Sequence, residues 1–163
     1  MYVGVLMKTV TSEDLNRILE DHSKWIKSSG NDGIQAKLVG ANLVGANINM
    51  PITCPEEGPF VGFKKALNKN NEIEYIVKLE ISEDALRSSA TTRKCRCSKA
   101  KVLSITNLDG TDADTDVAYS SHDHSFIYKI GEIVEVSDFN TDRWNACSTG
   151  IHFFITRQEA VDY

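Results

Sequence analysis

The sequence predicts an α+β fold, in which an N-terminal helix and a partial coil of five-residue repeats cap a mostly antiparallel β-sheet domain with a short C-terminal helix. Three observations predict it. Residues 14–33 carry apolar side chains at helical spacing. The stretch Ile34–Ile48, IQAKLVGANLVGANI, repeats every five residues. From Phe60 onward, β-branched and aromatic runs alternate with turn residues. The expected division is residues 1–54, a helix plus truncated repeat cap, and residues 55–163, an α+β ligand-binding domain.

The helix should start at Thr11 or Ser12, with Glu13 and Asp14 favouring its first turn through the dipole. Leu15, Ile18, Leu19, His22, Trp25 and Ile26 fall on one face, and Gly30 and Gly33 end the helix. His22 on that face reads as a half-buried, hydrogen-bonded core residue. Ahead of the helix, Tyr2–Leu6 reads as an edge strand or as packing beneath it. In the repeat, Ala36, Ala41 and Ala46 recur with Leu38, Leu43 and Ile48 two positions later, one small and one large inward residue per side of a square solenoid. Three repeats supply three of four sides, so they form an incomplete turn closed by Pro51 and the loop Pro55–Pro59.

The runs Phe60–Ala66 and Ile73–Ile81 read as a hairpin around Asn68-Lys69-Asn70-Asn71, with further strands at Lys101–Ile105 and Phe126–Val136. The acidic segment Asp109–Asp116 lacks the glycine and terminal glutamate of an EF-hand loop and reads as a solvated hairpin loop. Thr156–Tyr163 should be a helix with Thr156 and Glu159 as a capping box.

Composition bounds the function. A chain of 163 residues with 41% hydrophobic and 25% charged residues supports one ordinary core and a small cap, and excludes a large multidomain enzyme. The net charge of -5 argues against whole-surface binding to duplex nucleic acid or an anionic membrane. The start MYVGVLMKTVTSEDL does not read as a signal peptide, and no apolar run approaches the ~18 residues of a membrane span. Four cysteines without a dense framework read as reduced thiols, hence a cytoplasmic protein.

Two segments could carry chemistry. Arg87–Lys101, RSSATTRKCRCSKAK, gathers Arg87, Arg93, Lys94 and Arg96 with several hydroxyls inside an otherwise acidic chain, the composition of a phosphate site. Cys95 and Cys97 are expected to point to opposite faces of a strand and to pack as small apolar groups, so no metal is assigned. The second segment is Cys147–Tyr163, CSTGIHFFITRQEAVDY, a small-residue turn, an apolar strand carrying His152, and a capped helix ending in Tyr163. The segment Ser120-Ser121-His122-Asp123-His124 holds the residue types of a hydrolytic triad, but sequence neighbours cannot supply its geometry. If extended, it would place His122 and His124 on one strand face. No Walker, G-x-G-x-x-G or G-x-S-x-G motif occurs, and neither catalytic residues nor a cofactor are assigned.

The five-residue period resembles the pentapeptide-repeat family. Tyr128-Lys-Ile-Gly131-Glu-Ile-Val followed by Cys147-Ser-Thr-Gly150-Ile-His152-Phe-Phe looks like a C-terminal domain of phage and bacterial pentapeptide-repeat proteins, a domain with no established activity to carry over. Gly150-Ile-His152-Phe-Phe and the helix to Tyr163 are also locally similar to an element of the poly(ADP-ribose) polymerases, which would place His152 and Tyr163 at a nicotinamide-ribose site. Together these imply a phage-type protein that binds a small phosphate-bearing, nucleotide-like ligand and sequesters a nucleotide immune signal. Arg87, Arg93, Lys94 and Arg96 would hold phosphate, and His152 and Tyr163 would contact a ring or ribose. The alternatives are an ADP-ribosyl-transfer or phosphodiesterase-like enzyme, and a docking protein that forms a homo-oligomer through the helix face or repeat edge.

Overall fold

The structure, a computed structural model, describes residues 11–36 and 52–163. The chain divides into two compact units, Met1–Pro51 and Ile52–Tyr163.

In the first unit, α1 spans Ser12–Lys27. Thr11 is its N-cap, its hydroxyl accepting from the Asp14 N–H at 3.1 Å, and Glu13 and Asp14 open the helix while Lys24 and Lys27 close it, as the helix dipole favours. His22 is fully buried rather than half-buried. Its Nδ1 accepts from the Ala36 N–H at 3.3 Å, and its ring stacks on Trp25 at 5.6 Å, so it is the hydrogen-bonded core histidine its helical position implied. The helix ends where Gly30, at φ +89°, donates back to the Trp25 carbonyl at 2.8 Å. The run Tyr2–Leu6 and all but the first residues of the repeat lie outside the described residues.

The second unit is built from nine strands and a helix: β1 Phe60–Leu67, β2 Glu74–Ile81, β3 Arg87–Ser89, β4 Cys95–Cys97, β5 Lys99–Asn107, β6 Val117–Tyr119, β7 Ile127–Lys129, β8 Ile133–Glu135, β9 Ile151–Phe153 and α2 Arg157–Asp162. All pairings are antiparallel, in a six-stranded sheet ordered β7, β6, β1, β2, β5, β8 and a three-stranded sheet ordered β3, β4, β9. The predicted β1–β2 hairpin is present. The Asn68 side chain accepts from the Glu72 and Ile73 N–H groups, and Asn71 takes the left-handed backbone that asparagine tolerates. The capping box at Thr156 and Glu159 is also present.

Phe126–Val136 is not one strand. Gly131, at φ +87°, sits in the turn Lys129–Glu132, closed by the Glu132 N–H on the Lys129 carbonyl at 3.0 Å. A positive φ at this third turn position suits glycine. The turn sends β7 to one edge of the large sheet and β8 to the other. Since the connection from Lys129 to Ile133 can reach no more than about 14 Å, the sheet curls until its edges approach at that end.

Inward residues of both sheets, Val77, Leu79, Ile81, Val102, Ile105 and Tyr128 with Cys95, Cys97, Ile151 and Phe153, form one core. The sheets are stitched where β1 meets the end of β9: Phe63 and Phe154 exchange two backbone hydrogen bonds of 2.8 Å. That approach requires Gly62, because a Cβ there would stand 2.5 Å from Phe153 Cδ2 and 3.1 Å from Ile81 Cδ1. Among the described residues no helix is long and apolar enough to cross a membrane.

Phe153 is fully buried and cannot swing clear, so Gly62→Ala should cost about 1–3 kcal/mol of overpacking. Denaturant unfolding is the check; a midpoint unchanged from wild type would show that the two sheets are not held at this point.

Candidate functional site

Beside the stitch lies a cavity of about 630 Å³ lined by Lys64, Lys94, His152 and Tyr163, by Ser120–Asp123, by Phe126, Tyr128 and Val136, and by the turn Cys147–Gly150. Lys64 comes from β1, where Phe60, Gly62, Lys64 and Ala66 share the core face by the two-residue alternation of a strand. Its cross-strand partner Val77 is fully buried. The lysine is thus the cationic member of an apolar row. Its ammonium lies 5.9 Å from the centroid of the buried Tyr128 ring, a cation–π arrangement. Burial, with the neighbouring charge of Lys94 adding to it, lowers its pKa to about 8.

Lys94, just ahead of β4, forms the outer edge of the cavity. Its Nζ stands 5.6 Å from the Tyr163 ring centroid and donates to the exposed Cys147 thiol at 3.9 Å. The ion pairs of this unit, Lys65–Glu74, Arg93–Glu159, Lys99–Asp84 and Lys129–Glu132, include neither Lys64 nor Lys94. Among the described residues, the side-chain carboxylate that lines the cavity is that of Asp123, which is engaged with its own turn, accepting from the Ser125 N–H and hydroxyl. Those bonds hold it below the usual carboxylate range.

His152, on β9 opposite Arg96 of β4, has Nε2 3.0 Å from the Ser148 carbonyl. A carbonyl only accepts, so Nε2 carries the proton and Nδ1 the lone pair. Burial lowers its pKa to about 4; the Ser148 bond opposes this, and the charges of Lys94, Lys64 and Arg96 reinforce it. The ring is neutral at physiological pH.

The arginines expected to hold phosphate are occupied elsewhere. Arg87 spends all five donors on the carbonyls of Ala85, Pro55, Gly58, Ser82 and Glu83 while packing on Phe60. Arg93 pairs with Glu159 of the capping box. Arg96 is buried on the Phe139 ring and donates to the carbonyls of Asn140, Thr149 and Asp142 at 2.7–3.0 Å. Lys94, His152 and Tyr163 are the expected residues that line the cavity. Lys64 was missed, although a lysine at an inward position of an alternating strand is a signal for it.

Two further expectations are corrected. Ser120–His124 is a turn, its Ser120 hydroxyl accepting from the His122 and Asp123 N–H groups, so the two histidines do not share a strand face. Cys95 and Cys97 both enter the core, since residues two apart in a strand point the same way. Burial pushes the Cys97 thiol up to about 12, which makes it inert packing. Among the described residues no group of three or more histidines, cysteines or acids could hold a metal ion.

Residues 50–160 match the family of unknown function DUF5758. The chain belongs to this family. It is also similar to "Uncharacterized protein L223" of Acanthamoeba polyphaga mimivirus, 38% identical over 99 residues that cover 55% of this chain and 62% of that protein. The chain therefore spans a little over three-fifths of that relative's length. No solved structure matches the chain. The DUF5758 match covers the sheet unit that holds the cavity up to residue 160, short of Tyr163, and gives the domain its family without giving it a reaction.

Arg96 shapes the cavity wall indirectly, by gathering loop carbonyls. Arg96→Ala removes the charged donor from three of them, of which those of Thr149 and Asp142 keep only a long backbone N–H contact of 3.4 and 3.3 Å, and should cost about 3 kcal/mol, with faster amide exchange across Asn140–Thr149; Arg96→Lys, lacking the fork, should recover little. The pH dependence of stability isolates His152. Its folded pKa of about 4 lies below the ordinary 6.5, so between these values the unfolded chain binds more protons and stability falls as pH drops. His152→Gln should flatten that acid limb in thermal unfolding from pH 4 to 6.5, and an unchanged slope would show that His152 is protonated in the folded protein.

Proposed function

We propose that the sheet domain binds a small phosphate-bearing, nucleotide-like ligand in this cavity and holds it without turnover. One observation carries the reading: two lysines from different elements, neither in an ion pair with a carboxylate among the described residues, converge on one cavity in which His152 is neutral. Like charges confined together are unfavourable, and an anion between them removes the penalty. Lys64 and Lys94 supply the charge, the hydroxyls of Ser120, Ser121, Ser148 and Thr149 supply neutral donors, and Tyr163 and His152 supply ring surfaces. The phosphate role expected of Arg87, Arg93 and Arg96 passes to Lys64 and Lys94.

The viral relative supports a biological setting in which a virus-borne domain withdraws a nucleotide signal from its host. Among the described residues the cavity offers no hydrolytic triad of hydroxyl or thiol nucleophile, base and orienter, which favours binding over hydrolytic transfer.

The test is a thermal-shift panel of NAD, ADP-ribose and cyclic di- and trinucleotides, followed by chromatography of the released ligand. Stabilisation with the ligand recovered intact is expected. A chemically altered ligand would replace this reading with an enzyme, and no shift across the panel would overturn it. Lys64→Met and Lys94→Met should each weaken binding roughly tenfold or more, as loss of a charge-assisted hydrogen bond of ~1.5–3 kcal/mol implies. Because an anion favours protonated Lys64, affinity should fall as pH rises above about 8.

A further inference from the structure

We infer that Lys64 is a nucleophile, and that the cavity captures the carbonyl carbon of a phosphate-bearing aldehyde or ketone as an imine on its Nζ while Lys94 holds the phosphate. This rests on the binding reading above and names the substrate class of that same site. The two lysines differ in setting. Lys94 lies at the outer edge, between the exposed Tyr163 and the exposed Cys147. Lys64 lies inward, its stem on the core face of β1 and its ammonium above the buried Tyr128 ring, with Phe126 and Val136 nearby in the lining. An apolar wall and a neighbouring cation are the two conditions that make a lysine amine nucleophilic near neutrality, and both act here on Lys64.

Its lowered pKa, about 8, agrees with the geometry. At pH 7 roughly a tenth of such an amine is neutral, against less than about 0.1% of a lysine near 10.4. The neighbouring Lys65 is the internal contrast. It lies on the same strand but the opposite face, paired with Glu74 at 3.4 Å.

The chemistry balances without an oxidant or reductant. The Nζ lone pair attacks the carbonyl carbon, the carbonyl oxygen takes a proton, and the carbinolamine loses water to leave C=N. The neutral His152 imidazole, with its lone pair on Nδ1, lines the same cavity and can carry protons between these steps. A phosphate on the same molecule anchors it at Lys94, which converts the attack into an intramolecular step.

The experiment incubates the full chain with pyridoxal 5′-phosphate at pH 7, reduces the C=N bond with cyanoborohydride and maps labelled peptides over time, with thermal shift recorded in parallel. Lys64 should label at least roughly tenfold faster than Lys65 after the lower basicity of its amine is discounted. Inorganic phosphate should slow the labelling, phosphate-free pyridoxal should label Lys64 more slowly, and Lys64→Arg should lose the adduct. A thermal shift without a Lys64 adduct overturns the nucleophile and leaves the binding reading standing. A Lys64 adduct that forms equally with pyridoxal and ignores phosphate keeps the nucleophile and overturns the phosphate anchor. Labelling spread evenly over exposed lysines, with no shift, overturns both; the wild-type comparison of Lys64 with Lys65 decides this even if a variant fails to fold.

Discussion

The sheet unit depends on the absence of one side chain. At Gly62 the backbone of β1 comes against the Phe153 ring at a distance that no Cβ allows, and one residue later Phe63 exchanges its backbone hydrogen bonds with Phe154. Through this junction a long strand of the large sheet also borders the small one. The cavity follows from it by chain geometry. Lys64 is two residues beyond Gly62 on the same face, His152 is one residue before Phe153, and β4, which pairs with β9 in the register Cys95↔Phe153, brings Lys94 alongside. Three residues far apart in sequence are set around one space because two strands are forced together at one glycine.

The basic segment Arg87–Lys101 serves this framework more than it serves a ligand. Short strands leave many carbonyls without ladder partners, and a guanidinium is suited to collect them because its five donors are fixed in a plane. Arg87 ties the turn after β2 to the loop before β1, and Arg96 gathers the long connection between β8 and β9. Arg143, from that connection, donates back to the carbonyls of Ser89 and Ala90. Each bond to a charged donor is worth about 1.5–3 kcal/mol, and each arginine also covers an aromatic ring, Phe60, Phe139 or Trp144. The arginines of that cluster are internal donors while Lys94 faces the cavity, a division that composition does not carry.

What was legible in the sequence was local. The period of α1, the β1–β2 hairpin, and the Thr156 capping box are each decided by residues within a few positions of one another, and each is found. What was hidden depends on pairing across the chain. The division of β7 from β8 turns on Gly131 and on strands that lie at opposite edges of the sheet, a long-range fact that a β-rich run does not carry. Lys94, His152 and Tyr163 were recognisable as chemistry-bearing residues, but their convergence with Lys64 needed the junction at Gly62. The alternation of β1 did hold a clue: Phe60, Gly62, Lys64 and Ala66 form an inward row with one member whose charge has no place in a dry core.

The proposed function gives that charge a purpose. The chain carries a net charge of -5, so a local positive site is not a by-product of general basicity. His152 adds no further positive charge because burial and the neighbouring cations keep its ring neutral, against the Ser148 hydrogen bond, which favours the charged form. Aromatic faces flank both lysines, Tyr128 inside and Tyr163 outside, and a quadrupole stabilises an ammonium without neutralising it. This differs from an ion pair. A carboxylate in either place would satisfy the lysines and close the site to anions, whereas a ring leaves the charge available. On the binding reading proposed above, Lys64 and Lys94 keep a charge that can attract an anion, whereas Arg87, Arg96 and Arg143, which also lie on rings, spend their donors on carbonyls.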